Sequence, residues 1–362
     1  MNAVPTGKHF ATLDGLRGIA VLTVVLSHLS LLHLNPFLID FAGIGKCGVY
    51  LFFVLSAFLL TYQFFEKGLR SAFTAPALAN YFWRRALRVL PLFYLVVLVS
   101  GFTTEFFSKH LMDHGLPYTI PLHAVIPHLL LQAGVGVLWS VPVEFKFYFL
   151  LPLVAAVFLW TGRKLVLVDA VLTGIVVALL LHRFPASAMR LGTVDVRYFL
   201  PVFVIGSLCA SVAYKVPFDR HPRIATAIAW MIAAVLVLTV PSIYSVVIRP
   251  VPLGYFQKSL LLYAILWAIF LYMALHAEGW LHSLLTSRGL VYLGRISFSV
   301  YLLHFPILLI CHKFAPGNRW IGALAFAFIL GLATVSYRLI ERPLSRIRFD
   351  DVRRLMRSSS AI

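Results

Sequence analysis

Hydrophobic residues along this chain fall in long, nearly unbroken blocks, without the strict alternation of strands or the single apolar stripe of a soluble helix. Blocks of about 20 residues occupy 13–32, 44–65, 87–107, 138–160, 164–181, 198–214, 224–241, 258–276, 291–312 and 320–340. A bilayer core needs about 20 apolar residues of helix to cross it. The pattern therefore predicts an all-α polytopic membrane protein, a bundle of about ten transmembrane helices. The stretch 124–137 is too short to span and is broken by Pro127, Gly134 and Gly136. It reads as a short re-entrant or interfacial segment feeding the fourth span. The first block keeps Asp14, Arg17 and His28 and is followed by no small-residue cleavage site, so it is a span and not a removed signal. There is no internal repeat of fixed period and no flexible linker.

Composition sharpens that picture. Hydrophobic residues make up 61% and charged residues 12% of the 362, about half the roughly 25% charge of a soluble domain. So few charges cannot skin a water-facing surface, which excludes a soluble enzyme and a disordered chain. The net charge of +18 would suit nucleic acid, but no soluble basic domain exists to carry it. The positive-inside rule accounts for it instead. With the N-terminus in the cytoplasm, Lys and Arg favour the cytoplasmic loops by about two to one. This predicts a multi-pass membrane protein with both termini cytoplasmic, a transmembrane domain over 1–345 and a basic cytoplasmic tail over 346–362. Cys47, Cys209 and Cys311 sit singly in apolar runs and read as small core residues.

An ionisable side chain inside a span costs at least about 2.5–3.5 kcal/mol on insertion scales, so each marks candidate chemistry. Arg17 and His28 are eleven residues apart, which on a helix means about 16 Å of rise and about 20° of rotation. One face thus carries a fixed cation near the inner surface and an imidazole near the outer one. Arg85 and Arg88 share a face at i, i+3 where the third span leaves the cytoplasm, and guanidinium forks suit phosphate oxygens. Glu144 and Lys146 lie deep in an aromatic run. Counting residues from the outer boundary puts Glu144 and His28 at similar depths on oppositely directed helices, so that a carboxylate is expected to orient the imidazole. His304, close before Pro306, also falls in the outer half of its span.

These same stretches resemble the acyltransferase 3 family of integral membrane acyltransferases. LDGLRGIAVLTVVLSH (13–28) is similar to its opening motif, a basic residue and a His with ten residues between. GVYLFFVLSAFLL (48–60) resembles its FFVLSGF segment, and RRALRVLPLFY its Arg-x-x-Arg element through Arg85 and Arg88. LWSVPVEFKFYFLLP resembles the LWSLxVExxFYLxxP signature through Trp139, Ser140, Glu144, Phe147, Tyr148 and Pro152. FSVYLLHFP and YRLIERPLS (337–345) resemble the closing motifs. The motifs run in order from 13 to 345. Ala57 stands where Gly is usual, Tyr50 where the family is often polar or acidic, and Phe298 for a common Tyr, departures that bear on the shape of the substrate cavity.

The resemblance implies transfer of an acyl group, usually acetyl, from cytoplasmic acyl-coenzyme A to a hydroxyl of a carbohydrate acceptor, such as a surface or exported polysaccharide or its lipid-linked precursor. His28 and Glu144 would be catalytic, with His28 the general base and Glu144 its orienting partner. Arg17, Arg85 and Arg88 would bind acyl-coenzyme A. Acceptor-binding or oxyanion candidates are Asp14, Ser56, Trp139, Ser140, Tyr148, Tyr301 and His304, with Ser140, Tyr148 and Tyr301 the open alternatives for the oxyanion. Acyl-coenzyme A enters as donor substrate; no bound cofactor, metal or nucleic acid is expected, and membrane lipids are the remaining partner. The chain carries no appended hydrolase domain, so transfer is expected to finish within these helices or on a separate protein. The competing reading is a proton-coupled membrane transporter or flippase whose buried His and Glu relay protons.

Overall fold

A computed structural model of the chain describes residues 11–110, 118–162, 165–216, 221–347 and 349. Lys8, Arg163, Lys164 and Arg220, which entered the charge count, and most of the expected tail lie outside the described residues. Among the described residues every regular element is helical. The helices are α1 (Ala11–Leu31), α2 (Gly45–Ala72), α3 (Ala75–His110), α4 (Leu122–Leu129), α5 (Ser140–Trp160), α6 (Val166–Arg183) and α7 (Leu200–Lys215). They continue with α8 (Pro222–Leu238), α9 (Pro241–Val247), α10 (Leu260–His276), α11 (Gly279–Leu285), α12 (Arg288–Arg295), α13 (Ser297–Phe314) and α14 (Arg319–Ser336).

Seven of the described helices are long and apolar enough to cross a membrane, and nine spans result if α8 with α9 and α10 with α11 are each one bent span. The expected count of about ten is therefore not met in full. The run at 198–214 forms α7, a 16-residue helix, which is short of a full crossing. The run at 291–312 is divided: α12 is a separate amphipathic helix, and α13 begins after Ile296. The segment before α5 is broken, as its prolines and glycines require, into α4 and a 3₁₀ turn over Gly136–Trp139.

The centre of the bundle is α1 and α2. α2 is buried along most of its length, whereas α6 and α14 lie at the periphery with long apolar faces turned outward. Close approach of α1 to α11 and α12 depends on glycine. A Cβ on Gly15 would fall 1.8 Å from the Leu285 carbonyl oxygen, and one on Gly294 would fall 1.8 Å from the Asp14 carbonyl oxygen. Any larger residue forces these backbones apart. That contact fixes the rotation of α1, and hence the directions of Arg17 and His28. At the side, Asp169 of α6 takes hydrogen bonds from Thr161, Ser211 and Lys215, with a Lys215 Nζ–Asp169 Oδ2 distance of 2.5 Å and the carboxylate fully buried. A buried charge pair with each oxygen satisfied fastens α5, α6 and α7 without leaving an uncompensated ion.

Candidate active site

Three cavities are stacked through the bundle and share walls. At the end where α1 begins, a basic vestibule of about 400 Å³ is lined by Arg17, Arg84, Arg85, Arg88 and Arg295, together with Asp14 and Glu341. Arg17 and Arg88 also line a narrow neck of about 60 Å³, with Glu144, Tyr148, Ser140 and Tyr301 around it. Val49 and Tyr301 then form part of a far chamber of about 570 Å³, whose wall carries His28, Lys46, Trp139 and Gln257. The volumes decide what fits. Each outer cavity accepts a substrate-sized group, and the neck admits an extended chain at most.

The vestibule is built by α1, α3, α12 and the π-helical turn Tyr337–Glu341 after α14. Arg85 and Arg88 both project from α3 into it, as their i, i+3 spacing requires. Buried Arg85 Nε has no hydrogen-bond partner, which leaves a directional donor for an incoming acceptor. Asp14 sits 3.6 Å from Arg295. It lies at this end and is not among the residues that line the far chamber with His28. Glu341, quoted within YRLIERPLS but not singled out as chemistry, is buried here and accepts a hydrogen bond from Ser299 of α13. Its signal in the sequence was an acid placed directly after the last apolar block, which ends at 340.

In the neck, Glu144 accepts a hydrogen bond from Tyr148 Oη at 2.7 Å, one turn along α5. Its charge also acts on Arg17. Ser56 is buried within reach of the same Tyr148 hydroxyl. Ser140 Oγ donates to Tyr301 Oη at 2.8 Å, and Tyr301 Oη donates to the Val137 carbonyl at 2.8 Å. The hydroxyl protons of Ser140, Tyr148 and Tyr301 are thus all engaged within the protein.

The far chamber corrects one pairing. His28 was expected beside Glu144; instead its Nδ1 lies 3.0 Å from Nε2 of His304. The two histidines occupy α1 and α13, which pack side by side. Glu144 went deeper because α5 does not start at the boundary. The 3₁₀ turn carries Val137 and Trp139 along the chamber wall, so Ser140 already begins in the neck.

The histidine pair has a definite protonation pattern. Nδ1 of His304 lies 2.8 Å from the Tyr301 carbonyl and 3.1 Å from that of Val300, so it must carry the proton. Nε2 of neutral His304 is then an acceptor, and His28 Nδ1 is the donor. That tautomer, assigned from the hydrogen bonds, leaves His28 Nε2 with a bare lone pair on the ring that lines the chamber. The edge of Phe305, 4.8 Å away, braces the same ring. His304 is completely buried, and His28 is half-buried with one face in the cavity. Among the described residues no group of three or more His, Cys, Asp or Glu side chains is arranged to hold a metal ion.

Comparison with known proteins agrees with the motifs. The family model described as an acyltransferase domain, acyltransferase 3, matches residues 10–338. The peptidoglycan O-acetyltransferase OatA of Listeria monocytogenes is 26% identical over 94% of this chain and 57% of its own length. The O-acetyltransferase OatA of Staphylococcus aureus (strain NCTC 8325) is 23% identical over 94% of this chain and 58% of its own. This chain thus spans a little over half the length of the curated relatives it matches. No solved structure matches it.

Proposed function

The chain belongs to the acyltransferase 3 family, and from that premise we propose that it is a membrane O-acyltransferase that moves an acetyl group from acetyl-coenzyme A to a carbohydrate hydroxyl. The observation that carries this reading is the stack of cavities, with arginines at one mouth and a properly protonated imidazole at the other. Coenzyme A phosphates would dock on Arg85 and Arg88, with Arg17 at the entrance to the neck. The pantetheine arm, on the order of 15–20 Å at ordinary bond lengths, matches the roughly 16 Å of helix between Arg17 and His28. It would pass the neck and present the thioester to the far chamber.

There the acceptor hydroxyl gives its proton to His28 Nε2 as its oxygen attacks the thioester carbonyl. The C–S bond breaks as the tetrahedral intermediate collapses, and the coenzyme A thiolate takes the proton back from the imidazolium. His304 holds the ring through His28 Nδ1 and keeps the lone pair on the opposite nitrogen, the part first expected of Glu144. Glu144, with Tyr148, would instead hold the Arg17 side of the neck. The excess of Lys and Arg at the vestibule end supports a cytoplasmic mouth there, and the bacterial relatives support the inner membrane. Their names support a cell-envelope glycan, such as peptidoglycan, as acceptor.

The test is release of coenzyme A from acetyl-coenzyme A by the purified chain, measured with a peptidoglycan oligosaccharide present. Acceptor-dependent release that disappears in His28→Ala is the expected result. Release at the wild-type rate in that variant removes the base assignment.

A further inference from the structure

The far chamber contains a cation that neither the base nor the donor requires. Lys46 is the only Lys, Arg, Asp or Glu among the described residues lining that cavity. No ion pair to it occurs among the described residues. Its ammonium rests over the Trp139 ring, 5.3 Å from the centroid. Trp139 is itself wedged by Phe199 at 5.1 Å and Phe53 at 6.1 Å, so the charge is held against a fixed surface. The position is costly. Lys46 lies in the first turn of α2, where the helix dipole disfavours a cation and no acidic residue offsets it. Lys258 adds a second positive charge within electrostatic reach, and its own ammonium donates to the Ser187 carbonyl at 3.0 Å. Gln257, on the chamber wall, has its main-chain carbonyl fixed by a hydrogen bond from the Tyr50 hydroxyl at 2.7 Å.

From this we infer that the acceptor bears an anionic group, a carboxylate or phosphate close to the hydroxyl that is acylated, and that Lys46 meets it in the far chamber. The inference rests on the reading that this chamber receives the acceptor. A neutral sugar offers the ammonium hydroxyl oxygens as acceptors and no opposite charge. An anion adds the Coulomb attraction of a full opposite charge to the hydrogen bond in a cavity whose described lining holds no competing carboxylate. Lys46 is therefore a specificity-determining residue, and Trp139 positions it.

Equilibrium binding tests this apart from catalysis. The full chain, in nanodiscs of neutral lipid, is titrated with a hexuronic acid trisaccharide, its carboxyl-reduced neutral counterpart and a phosphorylated trisaccharide. The wild type and His28→Ala should both bind the anionic sugars at least about tenfold more tightly than the neutral one. Lys46→Gln should bring the three to the same affinity, and Lys46→Arg should keep the preference and report on folding. Equal or absent binding by the wild type, or a preference that survives in Lys46→Gln, overturns the inference. So does displacement of the anionic sugars by anionic lipid added to the nanodisc, because the cation would then serve a lipid headgroup. A preference that persists while coenzyme A release proves independent of His28 leaves the inference standing and removes the base assignment instead.

Discussion

The vestibule and the far chamber are the two ends of one passage, and they are built on opposite principles. The vestibule gathers five arginines, two of them at i, i+3 on one helix, with Asp14 and Glu341 among them. The far chamber has one lysine, no acid among its described lining and a histidine whose ring is fixed by a second, fully buried histidine. Multiple fixed guanidiniums suit tight, non-reacting capture of a polyanion. A single oriented imidazole suits proton transfer. The lesson is a division of labour: substitutions at one end should act on donor affinity, and those at the other on turnover.

His28→Ala should give the largest effect, a loss of about 10²–10⁴ in kcat with the KM for acetyl-coenzyme A little changed. Equal losses in both constants would blur the division. His304→Ala comes next. Removing the orienting partner while leaving the base should lower kcat by less than about 10², and it should shift the pH profile of kcat, which a merely structural role would not move. Arg85→Ala or Arg88→Ala should each raise the donor KM by about tenfold, the worth of a charged hydrogen bond, with kcat preserved. Those KM effects should shrink as salt rises. A fall in kcat at unchanged KM would put the arginines in the chemistry and break the comparison.

The smallest effect is expected on the loop beside the far chamber. The Arg197 guanidinium donates to both Asp195 oxygens, at 2.9 and 3.1 Å from Nε, and holds that carboxyl below the usual range. A depressed carboxylate stabilises the fold above its unfolded pKa, and the contribution disappears as the pH falls through the folded value. The pair is exposed, so Arg197→Gln should leave the thermal midpoint at neutral pH within measurement scatter. Any difference from the wild type should narrow further in acid.

Much of this arrangement was legible because it is local. The eleven-residue spacing of Arg17 and His28 lies within α1, and the Arg85–Arg88 spacing lies within α3, so one helix period places each pair. The spans followed from block length alone where helices are straight. What was not legible depends on how helices are set against one another. The His28–His304 contact joins residues 276 apart and needs the relative depth of α1 and α13. Glu144 was counted from an assumed boundary, and the 3₁₀ turn moved the start of α5 inward. The block at 291–312 hid a break because α12 is apolar only on the side that packs on α1, where Gly18 and Gly294 permit backbone contact. Lys46 lies at the edge of the second block, where sequence alone marks no chemistry; only the cavity shows where its ammonium goes.

The most direct test of the account uses an acyl-coenzyme A whose acyl group carries a photoreactive label, bound to the full chain in nanodiscs and irradiated before turnover. The acyl end should attach to far-chamber residues of α1, α13 or the Gly134–Trp139 segment, and Arg85→Ala with Arg88→Ala should abolish the labelling. Attachment confined to the vestibule segments 84–88 and 288–295 would mean that the thioester never passes the neck, and the proposed passage of the donor to His28 would be wrong.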